Sequence, residues 1–268
     1  MRTELMTYRR KPRMRRVRSE RQEQVTASQR EVLELLHEYG FLTPRLLALA
    51  YGSRPGRDGR GYWHLQRELR RLFDAGLVER FSGGVRAAPT GSGECVYAIT
   101  HQGGRAILDP LEYAETRHVF YNRENKGRVD FTHHVAVATL QLILTMGQGE
   151  WRLQEFRAED RNPRACVRVR VRNQLLTLWP DARAVVELRQ DGTSCRRRQY
   201  LFEVDLTRKS NQRIEDRFLA YLTYVADRQG GTVPPAERTV AVFVVAGESE
   251  AVPICIIAAY PAGKCIGK

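Results

Sequence analysis

Three helical segments followed by a strand pair, and then a longer stretch where strand alternation resumes around two further helices, predict an α+β chain of two domains. At 268 residues, each half is long enough to bury a core of its own. The formal charge of +13 and the pI near 9.9 select a polyanionic partner.

The first segment opens with Ser28 and Glu31 at capping-box spacing, carries an apolar stripe of Val32, Leu35, Leu36 and Tyr39, and stops at Gly40. Thr43-Pro44 then supplies an N-cap and a first-turn proline for a second helix through Leu46, Leu47 and Leu49 to about Gly52. A loop over residues 53–61, rich in Gly and Arg and containing Arg57, leads to a third helix from Arg60 to Phe73. There Arg60, His64, Arg67 and Arg71 recur at i, i+4, i+7 and i+11 with no acid among them, while Tyr62, Leu65, Leu69 and Leu72 take the opposite face. Solvated helix faces usually mix both signs of charge, so a purely basic stripe suits phosphates.

After Gly76, residues 77–81 have strand character, a Gly/Pro/Ser-rich loop holding Arg86 runs to Glu94, and Cys95 to Ile99 returns as a second strand. Thr100 opens a further helix at His101-Gln102-Gly103-Gly104-Arg105. Three helices and a hairpin make a winged helix-turn-helix, with the striped helix expected in the major groove of double-stranded DNA and Arg86 in the wing.

Arginine supplies nearly all of the positive charge, since lysine occurs only at 11, 126, 209, 264 and 268. Clustering is strongest in the first 24 residues, where nine cations, Arg13, Arg15 and Arg16 among them, face three acids. Too apolar-poor to fold alone, this segment is expected to be a disordered basic arm along the phosphate backbone. The five cysteines are odd in number and form no CxxC or Cys/His pair, as expected of reduced cysteines in the cytoplasm. No apolar run approaches the ~20 residues of a membrane helix, and no apolar segment follows the basic start, so neither membrane nor export is expected.

Residues 109–130 are polar and poorly periodic, which suits a linker. Thr132 to Met146 then reads as a largely buried helix, apolar over much of its circumference. Strands are expected at 151–158, 167–172, 175–178, 184–188 and 200–206. A helix capped by Asn211, with Ile214, Phe218, Tyr221, Leu222 and Val225 on one face, precedes a continuous apolar strand from Thr239 to Val245. That order implies an α/β sandwich.

Period two makes the last long strand informative. Tyr200, Phe202, Val204 and Leu206 face one way, leaving Glu203 and Asp205 side by side on the other, roughly 7 Å apart. Asp181, after Trp179-Pro180, sits at the head of an earlier strand. Converging at strand ends, these carboxylates could hold Mg²⁺ beside a phosphodiester; as solvent-facing acids they would instead be balanced by Arg208 and Arg213. Arg168, Arg170 and Arg172 alternate with Val167, Val169 and Val171, so one strand face is apolar and the other is arginine. Such a face either discourages edge-to-edge aggregation or gives DNA a second surface.

The winged helix, His133-His134-Val135-Ala136-Val137, Pro180-Asp181-Ala182, and Phe202-Glu203-Val204-Asp205 followed by Arg217-Phe218-Leu219-Ala220-Tyr221 resemble the replication-relaxation family of plasmids and integrative elements. The resemblance covers most of the chain after the arm. It implies an N-terminal winged helix joined to an α/β domain similar to the PD-(D/E)xK nuclease fold, and a role in replication, relaxation or mobilisation. In that nuclease pattern Asp181 and Glu203 match the metal-binding acids, but Asp205 occupies the place of the lysine that steadies the attacking water or developing charge. An acid cannot substitute for that cation, and Lys209, four residues on, reaches the site only if residues 207–210 turn sharply.

The reading is therefore a cytoplasmic, sequence-specific double-stranded DNA-binding protein acting in plasmid or mobile-element replication, mobilisation or transcriptional control. Its parts are an arm (1–24), a winged helix (25–108), a linker (109–130) and a degenerate nuclease-like domain (131–268). No cofactor is required, with Mg²⁺ at Asp181 and Glu203 as a weak site; the catalytic candidates are Asp181, Glu203, Asp205 and Lys209. The alternatives are a metal-dependent endonuclease targeted by the winged helix, and a non-catalytic docking factor for a relaxase or replication protein. A homodimer on two half-sites is the expected assembly.

Overall fold

A computed structural model of the chain describes residues 24–53, 62–85, 94–116, 131–147, 151–158, 166–171, 174–190, 194–205, 211–229, 239–245 and 255–259. Arg13, Arg15, Arg16, Arg57, Arg60, Arg86, Arg172 and Lys209 lie outside the described residues, and Asp205 is described in its backbone alone. The elements fall into two compact units, one ending with the helix at Thr116 and the other beginning with the helix at Phe131.

In the first unit, α1 (Ala27–Tyr39) is capped by Thr26 and not by Ser28. The Thr26 side chain accepts from the Gln29 amide, and the Gln29 side chain accepts from the Thr26 amide at 3.1 Å, so two orphan donors are satisfied reciprocally. Gly40, at φ 81°, ends the helix in a conformation that side chains resist. The next two residues form β1 (Phe41–Leu42), a strand the sequence does not announce. Thr43 and Pro44 then open α2 (Pro44–Gly52) as expected. After α3 (Tyr62–Asp74) come β2 (Val78–Val85) and β3 (Glu94–Ile99), and the sheet has the order β1-β3-β2. Leu33 and Leu36 of α1, Leu47 of α2, Leu65 and Leu69 of α3 and Val96 of β3 are all buried in it.

Two short helices complete the unit. Thr100 caps α4 (His101–Ile107), its Oγ1 accepting from the Gly103 amide and donating toward the carbonyls at Gly76 and Leu77. Arg30 of α1 donates to the last carbonyls, those of Ala106 and Ile107, at 3.2 and 3.1 Å. Residues 110–116, expected in a linker, instead form α5 (Pro110–Thr116). Asp109 caps it through the Leu111 and Glu112 amides, and Tyr113 packs back on α4 under the Arg105 guanidinium, with its hydroxyl 3.1 Å from His101 Nδ1.

The second unit is a three-layer sandwich. Its sheet runs β10-β9-β8-β7-β4, from β4 (Trp151–Ala158), β7 (Ala182–Gln190), β8 (Ser194–Asp205), β9 (Thr239–Val245) and β10 (Cys255–Ala259). β8 and β9 are parallel, joined through α7 (Asn211–Gln229), and the other neighbours are antiparallel. α6 (Phe131–Met146) covers one face, where Val137 meets Ala182, Val186, Phe202, Val204 and Val242. α7 covers the other, together with the hairpin of β5 (Val167–Val171) and β6 (Gln174–Leu178). α6 is less buried than its composition suggests, because Ile143 is 50% and Met146 41% exposed near its end. Among the described residues no helix is long and apolar enough to cross a membrane.

Gly103 has no room for a side chain: a Cβ there would overlap the Leu77 carbonyl and crowd Ile99. Gly103→Ala is expected to destabilise the first unit by about 1–3 kcal/mol, lowering its urea midpoint. Gly52→Ala, whose Cβ would enter open space, should leave that midpoint the same or slightly higher.

Candidate nucleic-acid interface

The face of α3 turned away from the core is a row of large side chains. Trp63, Arg67 and Arg71 follow one another at i, i+4 and i+8, and their exposures are 79% for Trp63 and 62% and 58% for the two arginine side chains. Leu65, Leu69 and Leu72 are buried behind them, so the expected division of the helix holds. Trp63 carries no charge and so stands outside the basic pattern of the stripe; its position at the second residue of α3, in phase with Arg67, is the sequence signal for it.

His64 departs from the expected stripe. Half buried, it turns toward α1, with Nε2 3.2 Å from Ser28 Oγ and Nδ1 3.1 Å from an Arg67 nitrogen. An acid also joins the row from behind: Glu68, 3% exposed, accepts from Arg71 Nη1 and from Gln29 Nε2, both at 3.0 Å, with Arg67 Nε 3.9 Å away. Gln29 is also the capping-box residue of α1, so the helix cap and the arginine row share one polar network. Arg70 pairs with Asp74 at 2.9 Å and leans over Phe73. Arg80 of β2 covers the same ring at 4.7 Å and lies beside Tyr97, whose phenol burial pushes up against the lowering effect of that guanidinium. Arg67 and Arg71 thus remain the described cations of α3 with most of their surface in water.

In the second unit the carboxylates of Asp181 and Glu203 are held by different partners, and the side chain of Asp205 lies outside the described residues. Asp181 Oδ2 accepts from the Val204 amide at 2.6 Å, and Oδ1 lies 3.0 Å from Nε2 of His133 on α6. Glu203 faces the other side of the sheet, is 3% exposed, and is held by α7: Arg217 pairs with Oε1, and the Tyr221 hydroxyl donates to Oε2 at 3.1 Å. Each carboxylate is therefore bound to a different helical layer. Glu203 was expected either to hold metal or to face solvent beside Arg208 and Arg213; α7 covers that face, so the carboxylate does not face solvent. Among the described residues, no group of three or more His, Cys, Asp or Glu could hold a metal ion.

The arginine alternation on β5 is present. Val169 is buried against α7, while Arg168 and Arg170 are exposed, paired across the hairpin with Thr177 and Leu175 on the outward side. The hairpin is a separate two-stranded sheet and not an edge of the main one.

If Glu203 anchors α7 to the sheet, losing its partners should cost stability. Arg217→Ala strands a buried carboxylate and is expected to cost about 2–3 kcal/mol, the guanidinium being one-third exposed. Tyr221→Phe should cost less, about 1–2 kcal/mol, by removing one charge-assisted hydrogen bond. Urea unfolding of the two variants beside the parent chain checks both.

No curated protein and no solved structure matches the chain. The sequence pattern of the replication-relaxation family matches residues 33–234, a span that includes α3, the His133–Asp181 pair and the Glu203–Arg217–Tyr221 cluster. Because this match extends over more than half of the sequence, the chain belongs to the replication-relaxation family.

Proposed function

We propose that the protein binds double-stranded DNA sequence-specifically through α3, within the role in replication or relaxation of mobile elements that its family membership carries. The carrying observation is the outward row of α3, where Arg67 and Arg71 stand in water on a helix whose other side is locked into a core. The element order α1-β1-α2-α3-β2-β3 supports reading the unit as a winged helix-turn-helix, in which the third helix enters the major groove. Arg71 spends one nitrogen on Glu68, and a guanidinium has five N–H donors, so donors remain for guanine or phosphate. The net charge of +13 and the outward Arg168 and Arg170 support further contacts with the backbone.

Binding without cleavage is the reading that the second unit favours. Metal ions need open carboxylate oxygens at one place. Those of Asp181 are engaged by the Val204 amide of β8 and by His133, and those of Glu203 by Arg217 and Tyr221 of α7.

Duplexes selected by the full chain from a random pool provide the test of recognition. Arg67→Ala and Arg71→Ala should each weaken binding by about 1–3 kcal/mol if the guanidinium contacts guanine, with relaxed preference at one base pair. Parent-like binding by the double variant would refute recognition through α3. Supercoiled plasmid incubated with the protein and Mg²⁺ or Mn²⁺ should remain intact. Nicking that disappears in Asp181→Ala and Glu203→Ala variants, with binding retained, would make the protein an endonuclease.

A further inference from the structure

We infer that Trp63 is a specificity-determining residue that packs its indole on the C5 methyl group of a thymine in the major groove. This rests on the reading that α3 enters duplex DNA. Trp63 is the second residue of α3 and is 79% exposed, although an indole is among the largest apolar groups a protein can withdraw from water. The Tyr62 ring meets it edge-on, with centroids 5.7 Å apart and planes at 73°, and so limits the directions it can take.

One helical turn on, Arg67 stands in the same row, and Arg71 follows after another turn. An apolar ring among cations is poorly suited to an apolar protein groove, whose association would have to desolvate those charges. It suits a polyanion that carries an apolar feature at reach. The major groove of duplex DNA displays such a feature in the thymine methyl, and the N-terminal residues of a recognition helix are the ones that meet base edges.

The test uses the full chain and the duplex it selects most strongly from a random pool, with each thymine replaced in turn by uracil, which lacks only the methyl group. One replacement is expected to weaken the parent protein about fourfold, the worth of one buried methyl. Trp63→Ala should bind the thymine duplex about tenfold more weakly and should bind the thymine and uracil duplexes alike. A flat uracil scan with the parent protein, or discrimination that survives in Trp63→Ala, would overturn the inference. A flat scan combined with a large loss in Trp63→Ala would indicate a ring wedged between base pairs. A dimer of the parent chain that dissociates in Trp63→Ala would assign the ring to a second copy. The double variant of Arg67→Ala and Arg71→Ala separates the two levels: if it weakens binding while Trp63→Ala does not, recognition through α3 stands and the thymine contact falls; if neither weakens binding, both fall.

Discussion

A carboxylate withdrawn from water costs several kcal/mol unless donors meet it, and each unit of this chain is organised around one that is met. In the first unit it is Glu68, whose two oxygens take Arg71 of its own helix and Gln29 of α1. In the second it is Glu203, taken by Arg217 and Tyr221 of α7. Neither acid could keep its place if the helices it binds moved. The charge therefore fixes the registration of helix on helix in one unit and of helix on sheet in the other, where apolar contacts alone would tolerate sliding.

The Glu68 network bears on the DNA contact proposed for α3. A free arginine side chain carries about 2 kcal/mol of rotamer entropy, which a base or phosphate contact must overcome. Arg71 is already tethered on one side while 58% of its side chain faces water, so part of that cost is met in folding. Gln29 extends the same device to the start of α1, because it also closes the capping box with Thr26. His64 belongs to this supporting layer, held between Ser28 and Arg67, more than to the surface it was expected to line.

In the second unit Asp181 and Glu203 serve as scaffold. β8 is buried on both faces, Phe202 and Val204 toward α6 and Leu201 and Glu203 toward α7. Asp181, at the head of β7, bonds to the β8 backbone at Val204 and to His133. Asp181 and Glu203 thus join the sheet to its two covering helices. The hairpin β5–β6 closes the α7 side with Val169 and Leu178, and this leaves Arg168 and Arg170 to the outside.

By itself the sequence determined the elements whose signals are local. Thr43-Pro44 opened α2, Gly40 closed α1, and the strand of β4 and the continuous apolar run of β9 were bounded to the residue. It also determined that Glu203 points away from Phe202 and Val204, since alternation along a strand is a covalent property. It left out β1 and β10, because two residues carry no period and a short apolar run has no partner until β3 or β9 lies beside it. Residues 110–116 read as linker for want of a clear period, although Asp109-Pro110 has the form of a helix start. Only the tertiary structure decided between Thr26 and Ser28 as the cap, because His64 on α3 is what meets Ser28. Only the tertiary structure decided whether the face bearing Glu203 met water or protein, since the cover comes from α7, brought over it by the parallel pairing of β8 with β9. Backbone periodicity is written within a few residues of itself, whereas the solvation of an acid depends on segments that are distant in sequence.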